Sequence, residues 1–259
     1  MSAITASHPL AEGLAPLWAS AWGEDVFGVW AAFELEGVEQ RMRWIPPGRF
    51  QMGSPESEAG RWKDEGPQHE VTLTRGFWLG ETAVTQELWE AVMGPNPSEL
   101  PDNAQRPVTS VSWEDCQGFF EAAEALLTGL ALRLPTEAEW EYACRAGTTT
   151  RYAFGDEISK EQANFESDQA APVRSFPPTP WGLYEMHGNV WEWCQDYWQD
   201  QYSEGPVDDP TGPREGAVRV IRGGSWISVA RLVRSACRDW YASGVRLDFL
   251  GIRLARGQG

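Results

Sequence analysis

Side chains able to do chemistry are few in this chain, and their spacing suits little of it. The histidines are His8, His69 and His187, and none stands in an H-x-x-x-H or H-E-x-x-H arrangement that would turn two ligands to one face. No G-x-S-x-G elbow and no phosphate-cradling P-loop occurs. His187, next to Gly188, has the chemistry of a general acid or base, but a hydrogen-bonded structural histidine is the favoured reading. Cys116, Cys144, Cys194 and Cys237 are too scattered for a disulfide framework and form no C-x-x-C pair, so buried thiols are expected. The closely spaced glutamates of EAEWE (137–141) sit at helical spacing, where a solvated helix surface is the ordinary expectation. No constellation reads as an active site.

The densest chemistry lies in Arg219–Arg256. Arg222, Arg231, Arg234, Arg238, Arg246 and Arg253 recur there as if each were pinned to an acidic or carbonyl partner. Gly223-Gly224 supplies positive-φ freedom beside a strand, and Ser225-Trp226 is expected to anchor the segment in a core. Between these anchors stand Ile227, Ser228, Val229, Leu232, Val233, Cys237, Asp239, Tyr241, Ser243, Val245, Leu247, Asp248, Phe249 and Leu250. No helical or strand period fits the mixture. It is either a loop-rich terminal core or a scaffold that holds variable side chains at a surface.

The elements that must position this stretch come earlier. A chain of 259 residues, 42% hydrophobic and 23% charged, can bury a core unaided, and its 15 Trp imply a wide, irregular one. The net charge of -17 repels nucleic acid and favours a basic partner. No apolar run approaches a membrane span, and Met1–Leu17 lacks the basic and apolar regions of a signal peptide, so a cytoplasmic location is expected. Met1–Ala21 reads as a weakly structured lead packed by Trp18 and Trp22. FGVWAAFE (from Phe27) and VEQRMRW (from Val38) read as a hairpin; Arg49–Met52, His69–Leu73 and Gly76–Leu79 read as strands, and Glu56–Pro67 as a surface loop. Three helices are expected over Thr85–Met93, Ser112–Leu127 and Thr136–Cys144, with Thr85, Ser112 and Thr136 as caps and Asp115 and Glu139 at capping-box positions. Beyond Arg145 no long helix or alternating strand emerges.

These residues carry a resemblance. WIPPGRFQMGSPESEAGRWKDEGPQHEVTL (from Trp44), FWLGETAVTQELWEAVMG (from Phe77), RPVTSVSWEDC (from Arg106), RLPTEAEWEYACRAGT (from Arg133), GLYEMHGNVWEWCQD (from Gly182), VRVIRGGSW (from Val218) and GIRLAR (from Gly251) resemble the formylglycine-generating enzyme, or sulfatase-modifying factor, family. The resemblance implies an α+β, C-type-lectin-like fold with much irregular structure over residues 42–259, preceded by an extension, 1–41, that begins a β-hairpin. It also places the copper-binding cysteines of the family's oxidases at Ser228 and Val233, where neither side chain suits Cu(I), so no copper and no oxidase activity are expected. A family disulfide is represented by the apolar Phe120 and Leu254, and a Cys144–Cys237 contact is implied as one alternative. The family's calcium loop falls on Glu185, Gly188, Val190 and Glu192, with a second site at Asn164, Phe165 and Asp168. Asn189 and Glu192 read equally well as buried groups bonded to backbone or arginine.

The terminal stretch further resembles the variable region, here 219–256, of diversity-generating retroelement proteins. In such systems adenine replacement in template Asn codons leaves NNC or NNT, which cannot encode Trp, Met, Gln, Lys or Glu. Between Ile227 and Leu250 only Trp240 belongs to that excluded set, and it is expected to be a fixed scaffold residue. The implied surface displays Leu232, Tyr241, Leu247, Phe249 and Leu250 with Asp239 and Asp248, a patch suited to a protein ligand. A non-catalytic partner-recognition domain and an enzyme with non-copper chemistry are the alternatives.

Overall fold

The computed structural model describes residues 16–100 and 102–257, and His8 lies outside them. In chain order the strands and helices are β1 (Ala21–Asp25), β2 (Gly28–Leu35), β3 (Val38–Ile45), β4 (Gly48–Met52), β5 (His69–Leu73), β6 (Phe77–Gly80), α1 (Gln86–Met93), α2 (Trp113–Leu126), α3 (Glu137–Arg145), β7 (Trp191–Tyr197), β8 (Val207–Asp208), β9 (Arg219–Arg222), β10 (Arg238–Tyr241), β11 (Leu250–Gly251) and β12 (Ala255–Gly257). They form sheets ordered β1-β2-β3-β6-β12, β10-β9-β7-β11 and β4-β5-β8. This is a mixed α+β fold in which long irregular segments are ordered by the sheets around them.

Local chemistry explains the regular parts. The β2–β3 hairpin turns at Glu36-Gly37, both at positive φ, as the twist of a two-residue connection requires. Thr85, Ser112 and Thr136 each accept a backbone N–H as helix caps, and Asp115 and Glu139 return the bond to complete capping boxes. From Ala21 onward the N-terminal segment is part of the first sheet, and Ala31, Phe33 and Leu35 enter the main core. Trp18 is buried there as well, whereas Trp22 is 42% exposed.

Burial overrides the sequence reading in three places. Strand β7 has no counterpart in the sequence pattern, because Trp191–Cys194 is buried on both faces and so shows no alternation. In α3, Glu137 and Glu141 are buried at 4% and 0% exposure; they are ion-pair partners for arginines of the terminal stretch. In the loop Glu56–Pro67, Glu65 is fully buried and serves the same purpose. All four cysteines are free and buried, so Cys144 and Cys237 do not pair. Phe120 and Leu254 share one apolar cluster.

Candidate ligand-binding site

The terminal stretch leaves β9 through Gly223 and Gly224, at φ 101° and 72°. A Cβ on Gly224 would stand 2.6 Å from Val233 Cγ1 and 2.7 Å from the Leu232 carbonyl, so glycine is required for the chain to fold back on itself. The Ser228 hydroxyl then accepts the Ser225 N–H at 2.9 Å, closing a tight turn. That turn is sewn to its neighbours by backbone alone: Glu166 N–H to Ser228 O, Ser167 N–H to Trp226 O and Trp226 N–H to Asn189 O, at 2.8–2.9 Å. The later part is held likewise, with the carbonyls of Ser243, Leu247 and Phe249 accepting from the amides of Trp113, Ser110 and Trp191.

Four buried arginines lock this backbone from below. Arg222 binds Glu141 and the carbonyls of Ser235, Ala236 and Cys237. Arg234 takes Glu65 with both terminal nitrogens and adds Glu58 and the Gly60 carbonyl. Arg238 forms a two-pronged pair with Glu137 at 2.8 Å and donates to the carbonyls of Asp64 and Gln199. Arg253 bridges Glu192 and the carbonyls of Gly80 and Tyr184. Burial opposes the charge on Glu137, but Arg238 and Arg222 outweigh it and hold the carboxyl below its ordinary pKa. Arg231 and Arg246 differ from the other four: Arg231 is exposed and lies over Trp62, and Arg246 forms an exposed two-pronged pair with Asp115.

The positions between these anchors divide by burial. Ile227, Val229 and Asp239 are exposed, and Leu232, Tyr241, Ser243, Val245, Leu247, Asp248 and Phe249 are half-buried, four of them (Leu232, Tyr241, Leu247 and Phe249) with one side against the main core. Ser228, Val233, Cys237 and Leu250, read from the sequence as display positions, are buried at 5%, 0%, 1% and 0% exposure. Ser228 is consumed by its turn, and the others pack in apolar clusters. The aromatic anchors change places: Trp226 is only half-buried, against a small satellite cluster, while Trp240 stands out at 46% exposure. Trp226 and Asp248 border a hollow of about 150 Å³ completed by Arg106, Glu99, Asp168 and Gln86. A larger hollow, about 1230 Å³, lies between Arg75, Arg133, Glu139 and Asp209, and no display position reaches it.

The places given to calcium by the resemblance are differently engaged. Both oxygens of Glu192 are bound by Arg253, and Trp140 Nε1 also donates to one of them. At the second place the Lys160 ammonium binds the Phe165 and Glu166 carbonyls. Among the described residues no group of three or more His, Cys, Asp or Glu side chains is arranged to hold a metal. Glu185 remains: its carboxylate is buried, neither oxygen has a hydrogen-bond partner, and desolvation raises its pKa to about 7. Asn189 is a structural group, its Oδ1 accepting from Ala171 N–H and Asn164. At the places that the resemblance gives to the copper cysteines, the Ser228 hydroxyl is committed to its turn and Val233 packs in an apolar cluster. His187 is structural too: Ala153 N–H donates to Nε2, so Nδ1–H donates to the Val233 carbonyl, and burial lowers its pKa to about 4.

A scaffold of short twisted strands, few helices and an arginine-locked terminal loop defines the formylglycine-generating-enzyme type of C-type-lectin-like fold. The match to the sulfatase-modifying factor enzyme 1-like domain runs over residues 29–258, and the chain belongs to that family. It is 35% identical over 245 residues to the serine/threonine-protein kinase pkn1 of Chlamydia caviae, covering 83% of this chain but only 38% of that protein. It is 32% identical to the formylglycine-generating enzyme of Streptomyces coelicolor, with 78% of this chain and 81% of that one aligned. Among solved structures, Treponema denticola variable protein 1 superposes with a TM-score of 0.80 at 29% identity, over 88% of this chain and 99% of that one. The chain thus spans about two fifths of the length of the chlamydial relatives.

Sequence reasoning missed the acidic half of the site. Glu58 and Glu65 meet Arg234 across 176 and 169 residues of chain. A single sequence carries no signal for such a pairing beyond the excess of buried-type arginines that demands one.

Proposed function

We propose that this chain is a ligand-binding member of the family whose terminal stretch is a display surface diversified by a retroelement, with a protein as its ligand. One observation carries the reading. Ser243, Leu247 and Phe249, like the segment Trp226–Ser228, are held through main-chain carbonyls, and the arginine locks beneath use residues outside the display set. Side chains can therefore be exchanged without removing the bonds that shape the loop, as a surface that must accept arbitrary residues requires. The likeness to a variable protein and the loss of both copper thiolates support it. On this reading the display set contracts to Ile227, Val229, Leu232, Asp239, Tyr241, Ser243, Val245, Leu247, Asp248 and Phe249.

The genomic test is direct. Sequencing the DNA beside the gene should find a near-identical copy of the segment encoding 219–256, with adenines at the display codons, and a reverse transcriptase gene. Finding neither removes diversification. It would leave the second reading, a fixed partner-recognition domain, which the chlamydial relatives favour because there the matched region is part of a longer protein.

A further inference from the structure

A second surface lies outside the display set. Trp62, Trp198 and Trp240 line an open hollow of about 840 Å³, with Lys63, Asp64 and Asp200 beside them. Trp198 and Trp240 stand with ring centroids 6.5 Å apart and planes inclined at 53°, an open V rather than a closed stack. The Trp198 Nε1–H donates to Asp200 Oδ1 at 3.0 Å, which fixes that ring. Trp62 and Trp240 leave 44% and 46% of their surface in solvent, a large apolar exposure for rings that could have packed inward.

We propose that this hollow is a binding site for the Lys or Arg side chains of a basic segment of a protein partner. An indole face carries negative charge density and attracts a cation above it. The chain already uses these rings that way: Arg231 lies 4.7 Å from the Trp62 ring and Arg238 lies 4.0 Å from the Trp198 ring. Among the described residues no guanidinium or ammonium covers Trp240, so its face is open to one from outside. The carboxylates point to the same charge. Asp64 Oδ1 is buried without a hydrogen-bond partner, an anion lacking the donor that its surroundings call for. Burial raises the pKa of Asp64, Arg238 opposes the rise, and Glu65 and Asp239 add to it, so an arriving cation relieves an existing cost. The lining itself carries Asp64 and Asp200 against Lys63, and Arg231 and Arg238 lie over the Trp62 and Trp198 rings, which leaves Trp240, with Asp239 beside it, as the ring for an incoming cation. The chain's net charge of -17 draws a basic segment toward the surface, and the rings give it a seat. Of all these residues only Asp239 belongs to the display set, so the proposal stands apart from diversification.

The test uses the full chain with three labelled peptides: glycine alternating with Lys and Arg, the same peptide with Gln, and the same with Glu. Binding is read by fluorescence anisotropy and by intrinsic tryptophan emission. The basic peptide alone binds; Trp240→Ala and Asp64→Asn each weaken it about tenfold, the loss of roughly one desolvated cation–π or ionic contact. Trp22→Ala, which removes an exposed indole on β1, leaves binding unchanged. Equal binding of the Gln peptide, or wild-type affinity in Trp240→Ala, overturns the proposal, since the attraction would then be non-specific or due to overall charge. Competition by a neutral oligosaccharide would overturn it by assigning the rings to sugar stacking. If Trp240→Ala fails to fold, the Asp64→Asn result decides.

Discussion

Replacing Glu185 by glutamine should make the protein more stable at alkaline pH and leave it nearly unchanged at acid pH. The Glu185 carboxylate is buried with no hydrogen-bond partner on either oxygen, and desolvation, opposed by the nearby amides of Arg174, Phe176 and Ser175 and by Arg253, raises its pKa from 4.5 to about 7. A raised folded-state pKa means that the native protein holds this proton more tightly than the unfolded chain. The associated stability is complete below pH 4.5 and is lost as pH rises through about 7. The difference of about 2.5 pH units corresponds to up to about 3 kcal/mol of penalty carried by the ionised wild type at pH 8. A neutral glutamine amide at this position carries no such penalty and has the same shape. Urea denaturation of both proteins in chelator, at pH 4, 6 and 8, should show a gap that opens with pH. The buried Asp196, whose pKa burial and Glu137 raise to about 8, moves both proteins alike and cancels in the comparison. A gap independent of pH, or a Glu185→Gln protein less stable at pH 8, would refute the reasoning. So would a calcium-dependent stabilisation of the wild type that the variant lacks, which would make Glu185 a metal ligand.

Other consequences can be measured in the same way. Exchanging Val229, Asp239 or Asp248 for Ser or Asn should shift unfolding free energy by no more than about 0.5 kcal/mol, whereas Trp193→Ala, in the fully buried core, should cost about 3–5 kcal/mol. Comparable losses in both groups would mean that the terminal loop is core and not display. Arg222→Met should cost about 3 kcal/mol or more, because the buried carbonyls of Ser235, Ala236 and Cys237 lose their donor and the fully buried Glu141 keeps only Arg145 as a cation. Titration with Cu(I) should show no stoichiometric tight binding, and a cysteine-containing peptide should remain unoxidised; a 1:1 Cu(I) complex abolished by Ser228→Ala would contradict the donor set described above.

What the sequence determined by itself was local chemistry and ordered motif. The helices α1, α2 and α3 were legible because Thr85, Ser112 and Thr136 cap them through bonds spanning three residues. The hairpin at Glu36-Gly37 was legible because its turn needs positive φ. The family was legible from the order of its blocks. Tertiary structure alone decided which residues of the terminal stretch face water. Alternation could not separate exposed Val229 from buried Val233, because the segment is neither helix nor strand and its burial is set by Trp140, Glu65 and Glu141 from distant parts of the chain. For the same reason the glutamates of EAEWE are not the solvated face that their spacing suggests: Glu137 and Glu141 are buried because Arg238 and Arg222, 101 and 81 residues away, compensate them there. Trp240 had the composition of an anchor and the position of a surface ring, since β10 is the edge strand of its sheet and the ring, beside Trp198, keeps 46% of its surface in solvent.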